Sequence, residues 1–306
     1  METDIKTLFY FYTRVYRQDR SAYTEKCSDW YFEKYIAPYL GSHKIGSVTP
    51  SEVQMVINRL KGKSRTAIAL TYGDLMLVLK RAYVDGYTDK DVTGMIDKPK
   101  AKPTVPKRAL TPLERETVIS VAQTKQKYMA FLFMILCGCR PSEAYDMQKE
   151  DIDFENETVH IRGTKTAFSD RVVPCPRIIL NLAEKSSYGL LTLSQTGLKV
   201  NKEGQRTIWH SFYKDCHRYL GGTFYKGRPV EPYPFGKDLT AYNLRHEYCT
   251  ELARHGVDVR ITQKLMGHSS PEMTMKVYTN LSDEDVCTDE VRKIVNLKSV
   301  FSSLTE

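Results

Sequence analysis

The run Tyr128–Cys137, YMAFLFMILC, is apolar on nearly every side of a helix and is stopped by Gly138. A helix with no polar face has to be enclosed by other elements, so this stretch predicts the buried centre of a domain. Neither it nor any other apolar stretch approaches membrane-spanning length. Immediately after it, C-G-C-R-P-S-E-A predicts a second, short helix opening at Pro141, which leaves Arg140 between a buried helix end and a new helix N-terminus. Free backbone N–H groups and the positive dipole end favour a phosphate there. A structural arginine paired with Glu143 is the alternative that these residues alone leave open.

Upstream, Lys98–Arg108 (KPKAKPTVPKR) holds three prolines and five basic residues without apolar periodicity, as a linker does. We place the domain boundary inside it, giving residues 1–103 and 104–306, with the linker at about 98–108. Its charge suits either a solvated tether or contact with a DNA backbone. Residues 5–16 and 23–40 are aromatic-rich at helical spacing, and the stripe Tyr23, Cys27, Trp30, Tyr31, Tyr35 reads as core rather than a base-stacking surface. Thr49, Pro50 and Glu52 form a capping box for a helix to about Leu60, and a further helix runs from about Ser64 to Val84. The first domain is therefore a small all-α module of about four helices, for which a generic bundle fits as well as any specialised one.

Downstream of the linker, Thr111, Pro112 and Glu114 make a second capping box. Residues 151–174 then switch to strand period, with Ile152 and Phe154, Val159 and Ile161, and Val172 and Pro174 alternating against polar neighbours. Lys165 lies near the turn of that hairpin. Residues 206–220 predict another helix, and 221–239, rich in glycine and proline, a long loop that is either disordered or ordered by a partner. From Leu239 to Asn280 three short helices follow. Leu244, Tyr248 and Leu252 mark the first, which Gly256 stops. Asp258 caps the second, which Gly267 ends, and Ser270 with Pro271 opens the third. Arg245, His268 and Tyr278 come within reach of one another on this unit. The last stretch, residues 282–304, has helical spacing and packs either on its own domain or on a neighbouring protomer.

These strings together carry a resemblance. The arginine box at 137–144, the hairpin lysine at 165, L-R-H at 244–246, G-H-S-S at 267–270 and V-Y-T at 277–279 resemble the tyrosine recombinase (phage integrase) family, as found in integrases of mobile elements. The likeness is loose over the whole chain and close over 104–280. It implies a mainly α fold with a small antiparallel β-sheet, a helical N-terminal core-binding domain that clasps DNA, and a tyrosine recombinase catalytic domain. It also implies that Arg140 and Arg245 hold the scissile phosphate, with Glu143 as support and His268 adding a hydrogen bond. Tyr278 attacks to form a 3′-phosphotyrosine, and Lys165 protonates the departing 5′ oxygen. No metal, cofactor or ATP is called for. Where the family usually has histidine three residues before the second arginine, this chain has Tyr242, which shares a helix face with Arg245. Its hydroxyl suits orientation better than base chemistry near neutral pH.

The expected partners are double-stranded DNA recombination sites, a homotetramer assembled on them, and accessory DNA-bending proteins. A net charge of +8 fits a polyanionic partner without requiring one. Seven cysteines, without CxxC pairs or zinc-like histidine spacing, read as reduced buried thiols. The first residues match neither a signal nor a transit peptide, and the expected location is the cytoplasm, on the nucleoid when bound to DNA. Two other readings are a type IB topoisomerase and a DNA-binding accessory protein that has lost catalysis.

Overall fold

The structure, a computed structural model, describes residues 3–103, 107–163, 167–193 and 197–279. Lys165 and the tail from residue 280 lie outside the described residues. The chain divides into two compact units, Met1–Val105 and Pro106–Glu306, each with its own apolar core.

The first unit holds α1 (Ile5–Tyr16), α2 (Ala22–Tyr35), α3 (Pro50–Asn58) and α4 (Arg65–Val84). Their starts are set by short polar side chains that accept the orphan amides of the first turn: Asp4, Ser21, Thr49 in a reciprocal box with Glu52, and Ser64. Phe9 of α1 stacks on Phe32 of α2 with ring centroids 3.8 Å apart, above Leu75 and Val78 of α4. Buried Asp74 is held by Arg20 at 2.6 Å and accepts from Ser28. The aromatic stripe of α2 is core only in part, with Tyr35 packed against it. Tyr23 is 68% and Trp30 53% exposed, while Ser28 and Phe32 face inward. The helical period is right and, at Tyr23 and Trp30, the face is wrong, because α2 carries aromatic residues on both faces and only Phe32 has an aromatic partner on α1. On the outside, the Lys34 ammonium lies 4.4 Å from the Trp30 ring centroid.

The second unit is built on α5 (Pro112–Ala122), α6 (Met129–Leu136) and α7 (Pro141–Tyr145). All of α6 but Leu136 is buried, enclosed by α5, α7 and later helices. A three-stranded antiparallel sheet follows, β1 (Ile152–Asp153), β2 (Thr158–Ile161) and β3 (Arg171–Pro174), in the order β1-β2-β3. Its alternation departs from the expectation at two places. Phe154 is exposed, and in β3 it is Arg171 and Val173 that face inward while Val172 and Pro174 face out. The register explains the inversion: Val173 pairs with Val159 and Arg171 with Ile161, and paired residues share a face of the sheet.

Helix α8 (Arg177–Glu184), which the sequence reading left unassigned, and α9 (Lys202–Tyr219) complete this layer. The 221–239 loop is ordered. It forms a small hairpin of β4 (Phe224–Tyr225) and β5 (Arg228–Pro229), and buried His217 of α9 hydrogen-bonds the Thr223 carbonyl at 3.0 Å. Farther along, the Phe235 side chain is buried against the core. At the start of the unit, Arg108 is no free tether charge, since it pairs with Glu114 at 2.7 Å and Asp238 at 2.8 Å. The chain then turns into α10 (Ala241–Arg254), α11 (Val259–Met266) and α12 (Pro271–Tyr278), with Asp258 and Ser270 as N-caps and Gly267 as a left-handed C-cap. α10 packs along α6.

Candidate active site

The end of α6, the start of β3 and the end of α11 meet, and three arginines converge there. A helix leaves its last carbonyls without intrahelical partners. In α11 those carbonyls are taken by guanidinium groups: Arg171 Nε donates to Leu265 O at 2.7 Å, Arg245 Nη2 to Met266 O, and Arg140 Nη2 to Gly267 O at 2.8 Å. Gly138, which ends the buried helix, offers its own carbonyl to Arg245 Nη1 and to Arg171 Nη2. Gly138 sits at φ +65°, and a Cβ there would meet Tyr248 Cδ1 at 2.4 Å, so any other residue is strained and must displace that ring.

One carboxylate serves all three cations. Glu143 lies 2.7 Å from Arg140, 3.1 Å from Arg171 and 3.8 Å from Arg245. Burial alone would raise its pKa, but the hydrogen bond and charge of Arg171, with the contacts to Arg140, hold it below the ordinary carboxylate range. Its other bond goes to the Arg140 backbone N–H at 2.8 Å. At the helix start expected at Pro141, Glu143 thus occupies the Arg140 backbone N–H. Three guanidiniums against one carboxylate leave the pocket with two positive charges in excess. That surplus shows in Arg245, whose pKa is drawn down to about 10 by burial, then by Arg140 and Arg171. An anion with several acceptor oxygens would relieve it.

His268 follows directly. It is 7% exposed, its Nδ1 lies 2.9 Å from the Thr274 hydroxyl, and its backbone is tied to Gln263 in both directions at 3.1 Å. Burial, then Arg245, Arg140 and Arg171, pull its pKa to about 4, so it is neutral at pH 7. The structure thus brings Arg140, Arg245 and His268 together. It places Tyr242 in the first turn of α10 at 56% exposure. The Tyr278 hydroxyl, by contrast, is not at the arginines. It donates to the Val257 carbonyl and lies 2.6 Å from the Thr262 hydroxyl. Val257 precedes α11, so that anchor is at the opposite end of an eight-residue helix about 12 Å long from the carbonyls the arginines hold. Burial keeps the phenol pKa above its usual value.

Arg171 is the residue that sequence reasoning missed. It stands two positions before Val173, in phase with the inward face of β3, where an apolar residue would be expected. With Val172 and Pro174 expected on the inward face, the strand pattern carried no signal for Arg171. Among the described residues no group of three or more His, Cys, Asp or Glu side chains is arranged to hold a metal ion, and no helix is long and apolar enough to cross a membrane.

A helical second unit around one apolar helix, a small sheet on its flank and an arginine cluster beside three short helices define a known class. The description "Phage integrase family" matches residues 108–285, and "Phage integrase, N-terminal SAM-like domain" matches residues 5–61. The chain belongs to the phage integrase family, the tyrosine recombinases. Among its relatives, tyrosine recombinase XerA of Thermococcus onnurineus (strain NA1) is 30% identical over 196 residues, which is 61% of this chain and 62% of that protein. XerA of Thermococcus kodakarensis (strain ATCC BAA-918 / JCM 12380 / KOD1) is 28% identical over 221 residues, spanning 69% and 71% of the two chains. Among solved structures, the Tn1549 transposon integrase in complex with a circular intermediate DNA superposes with a TM-score of 0.70 at 20% identity, covering 94% of this chain and 99% of that one. At that identity the likeness is one of fold.

Proposed function

We propose that the chain is a site-specific DNA recombinase, the integrase of a mobile element, which cuts and rejoins double-stranded DNA through a 3′-phosphotyrosine on Tyr278 without metal or ATP. The observation that carries the reading is the arginine cluster, three guanidiniums that among the described residues share the one carboxylate of Glu143. Arg140 and Arg245 turn their planar forks onto the nonbridging oxygens of the scissile phosphate, a geometry lysine does not reproduce. With Arg245 buried and Arg140 half-buried, they stabilise the charge that develops in the transition state. His268, neutral at pH 7, adds a hydrogen bond.

On DNA, the Tyr278 hydroxyl exchanges Val257 and Thr262 for the phosphate. Its oxygen forms the new bond to phosphorus, its proton passes to solvent, and the bond to the 5′ oxygen breaks as Lys165 protonates that oxygen. Because the phosphotyrosine retains the energy of the phosphodiester, another strand's 5′ hydroxyl reverses the step. Tyr242 orients the phosphate or Arg245. Work on paired sites calls for a homotetramer, with accessory DNA-bending proteins as further partners, in the cytoplasm. Recombination is favoured over simple strand relaxation because the relatives are named recombinases and integrases.

The test is adduct trapping on a nicked suicide substrate. Wild type yields a covalent protein–DNA band, at an undiminished rate in excess EDTA, whereas Tyr278→Phe binds the DNA and yields none. An adduct from the phenylalanine variant, or loss of wild-type cleavage on chelation with recovery on added metal, overturns the mechanism.

A further inference from the structure

We infer that Arg171 is a positioning residue for this reaction: a buried guanidinium, bound to four acceptors inside the protein, that braces the end of α11 and Glu143 so that Arg140 and Arg245 hold the phosphate in register. The inference rests on the recombinase reading above and goes beyond it by dividing three adjacent arginines into two that read the phosphate and one that does not.

The division follows from counting donors. A guanidinium has five N–H donors in a fixed fork. Those of Arg171 go to Leu265 O, Ser169 O, Gly138 O and Glu143, and its side chain is 3% exposed. Four of its five donors are thus spent inside the protein, whereas Arg245 spends two, on Gly138 O and Met266 O. Arg140, with 22% of its side chain exposed, spends its fork on Glu143 and Gly267 O. Arg171 also holds both edges of the pocket at once. Ser169 precedes β3, Gly138 ends α6, and Leu265 lies one residue before the Met266 carbonyl that Arg245 grips. Gly267, whose carbonyl Arg140 grips, lies so close that a Cβ on it would come within 3.0 Å of Arg171 Nη1. Displacing this guanidinium therefore moves the last turn of α11 and, with it, the start of the His268 loop.

Three measurements test the assignment. In wild type, side-chain nitrogen resonances are followed by NMR on adding a DNA duplex bearing the site. Arg171 Nε–H stays slow to exchange and unshifted, while Arg140 and Arg245 shift. An Arg171 signal that moves with theirs makes it a phosphate ligand and overturns the proposal. Second, Arg171→Lys, which keeps the charge but loses the fork, binds DNA within a few-fold of wild type and slows single-turnover cleavage by about 10²-fold, the scale of a misplacement near 1 Å. A variant that folds and cleaves at the wild-type rate sinks the inference. Third, Arg171→Gln raises the His268 pKa toward its ordinary value, a titration that a purely structural arginine, remote from the site, would leave alone. Should the variants fail to fold, the wild-type resonances still decide. Absence of any adduct from wild-type protein would instead be a failure of the recombinase reading itself.

Discussion

Histidine 268 shows at the residue scale how the pocket sets its own chemistry. Its pKa of about 4 in the folded chain stands against 6.5 for an unperturbed imidazole, with burial as the first cause and Arg245 the second. The sign follows from linkage. Between those values the unfolded chain binds a proton that the folded chain refuses, so this contribution to stability is complete above about pH 6.5 and is lost as the pH falls toward 4. Each pH unit inside that window removes about 1.4 kcal/mol for one fully linked proton. Thermal unfolding of wild type and His268→Gln between pH 4 and 7 measures it. The wild-type melting temperature falls more steeply on acidification, and parallel curves would show that His268 is not held neutral by its surroundings. Beside it, Arg245 stays charged at pH 7 even at its lowered value, which is what a phosphate ligand requires.

At the scale of the element, α11 is a short rod with a different task at each end. Its N-terminal side carries the anchor of the Tyr278 hydroxyl at Val257 and Thr262, and its C-terminal carbonyls carry the arginines. Gly267 makes the second end possible, because the left-handed turn at φ +61° brings the backbone against Arg171 and the Phe168 carbonyl. Gly256, between α10 and α11, has a similar φ of +66° but open space around a would-be Cβ. The pair separates two effects. Gly256→Ala costs only left-handed strain, about 1–2 kcal/mol. Gly267→Ala adds a collision with Arg171 Nη1 at 3.0 Å and Phe168 O at 2.8 Å, so it lowers the melting temperature further and slows cleavage by about 10-fold or more. Equal melting temperatures and equal single-turnover rates for the two variants would contradict the brace.

For the whole molecule, the two cores share no residue, and in the basic stretch between them Lys98, Lys100, Lys102 and Lys107 are exposed. Lys102 is tied back to the first unit through its N–H on the Lys63 carbonyl, and Arg108 to the second through Glu114 and Asp238. Limited trypsin digestion therefore cuts first in this stretch, after Lys100 or Lys107, since prolines follow Lys98 and Lys102 and protect them. It leaves two resistant fragments, which intact mass measurement identifies. Early cleavage at Arg115 within α5, with none at the connection, would show that the units do not hold their own folds.

What the sequence determined by itself is local. Caps and stops, such as Thr49 with Glu52, Thr111 with Glu114, Asp258, Ser270 and Gly267, act across three residues or fewer, so helix limits were legible from short strings. So was the buried helix, because a segment apolar on all sides has one fate. The arginine and histidine boxes were legible as residues, but not their arrangement. Arg171 reaches Leu265 across 94 residues, Arg245 reaches Gly138 across 107, and Arg140 reaches Gly267 across 127. Such contacts depend on strand register and helix packing, and a one-residue change of phase in β3 was enough to hide Arg171 from a pattern reading. The same holds for α2, where aromatic residues on both faces leave the period without a preferred side until α1 supplies Phe9. Tertiary structure alone decided which carbonyls the arginines take, that one glutamate serves three cations, and where the Tyr278 hydroxyl rests, because each is settled by partners distant in the chain.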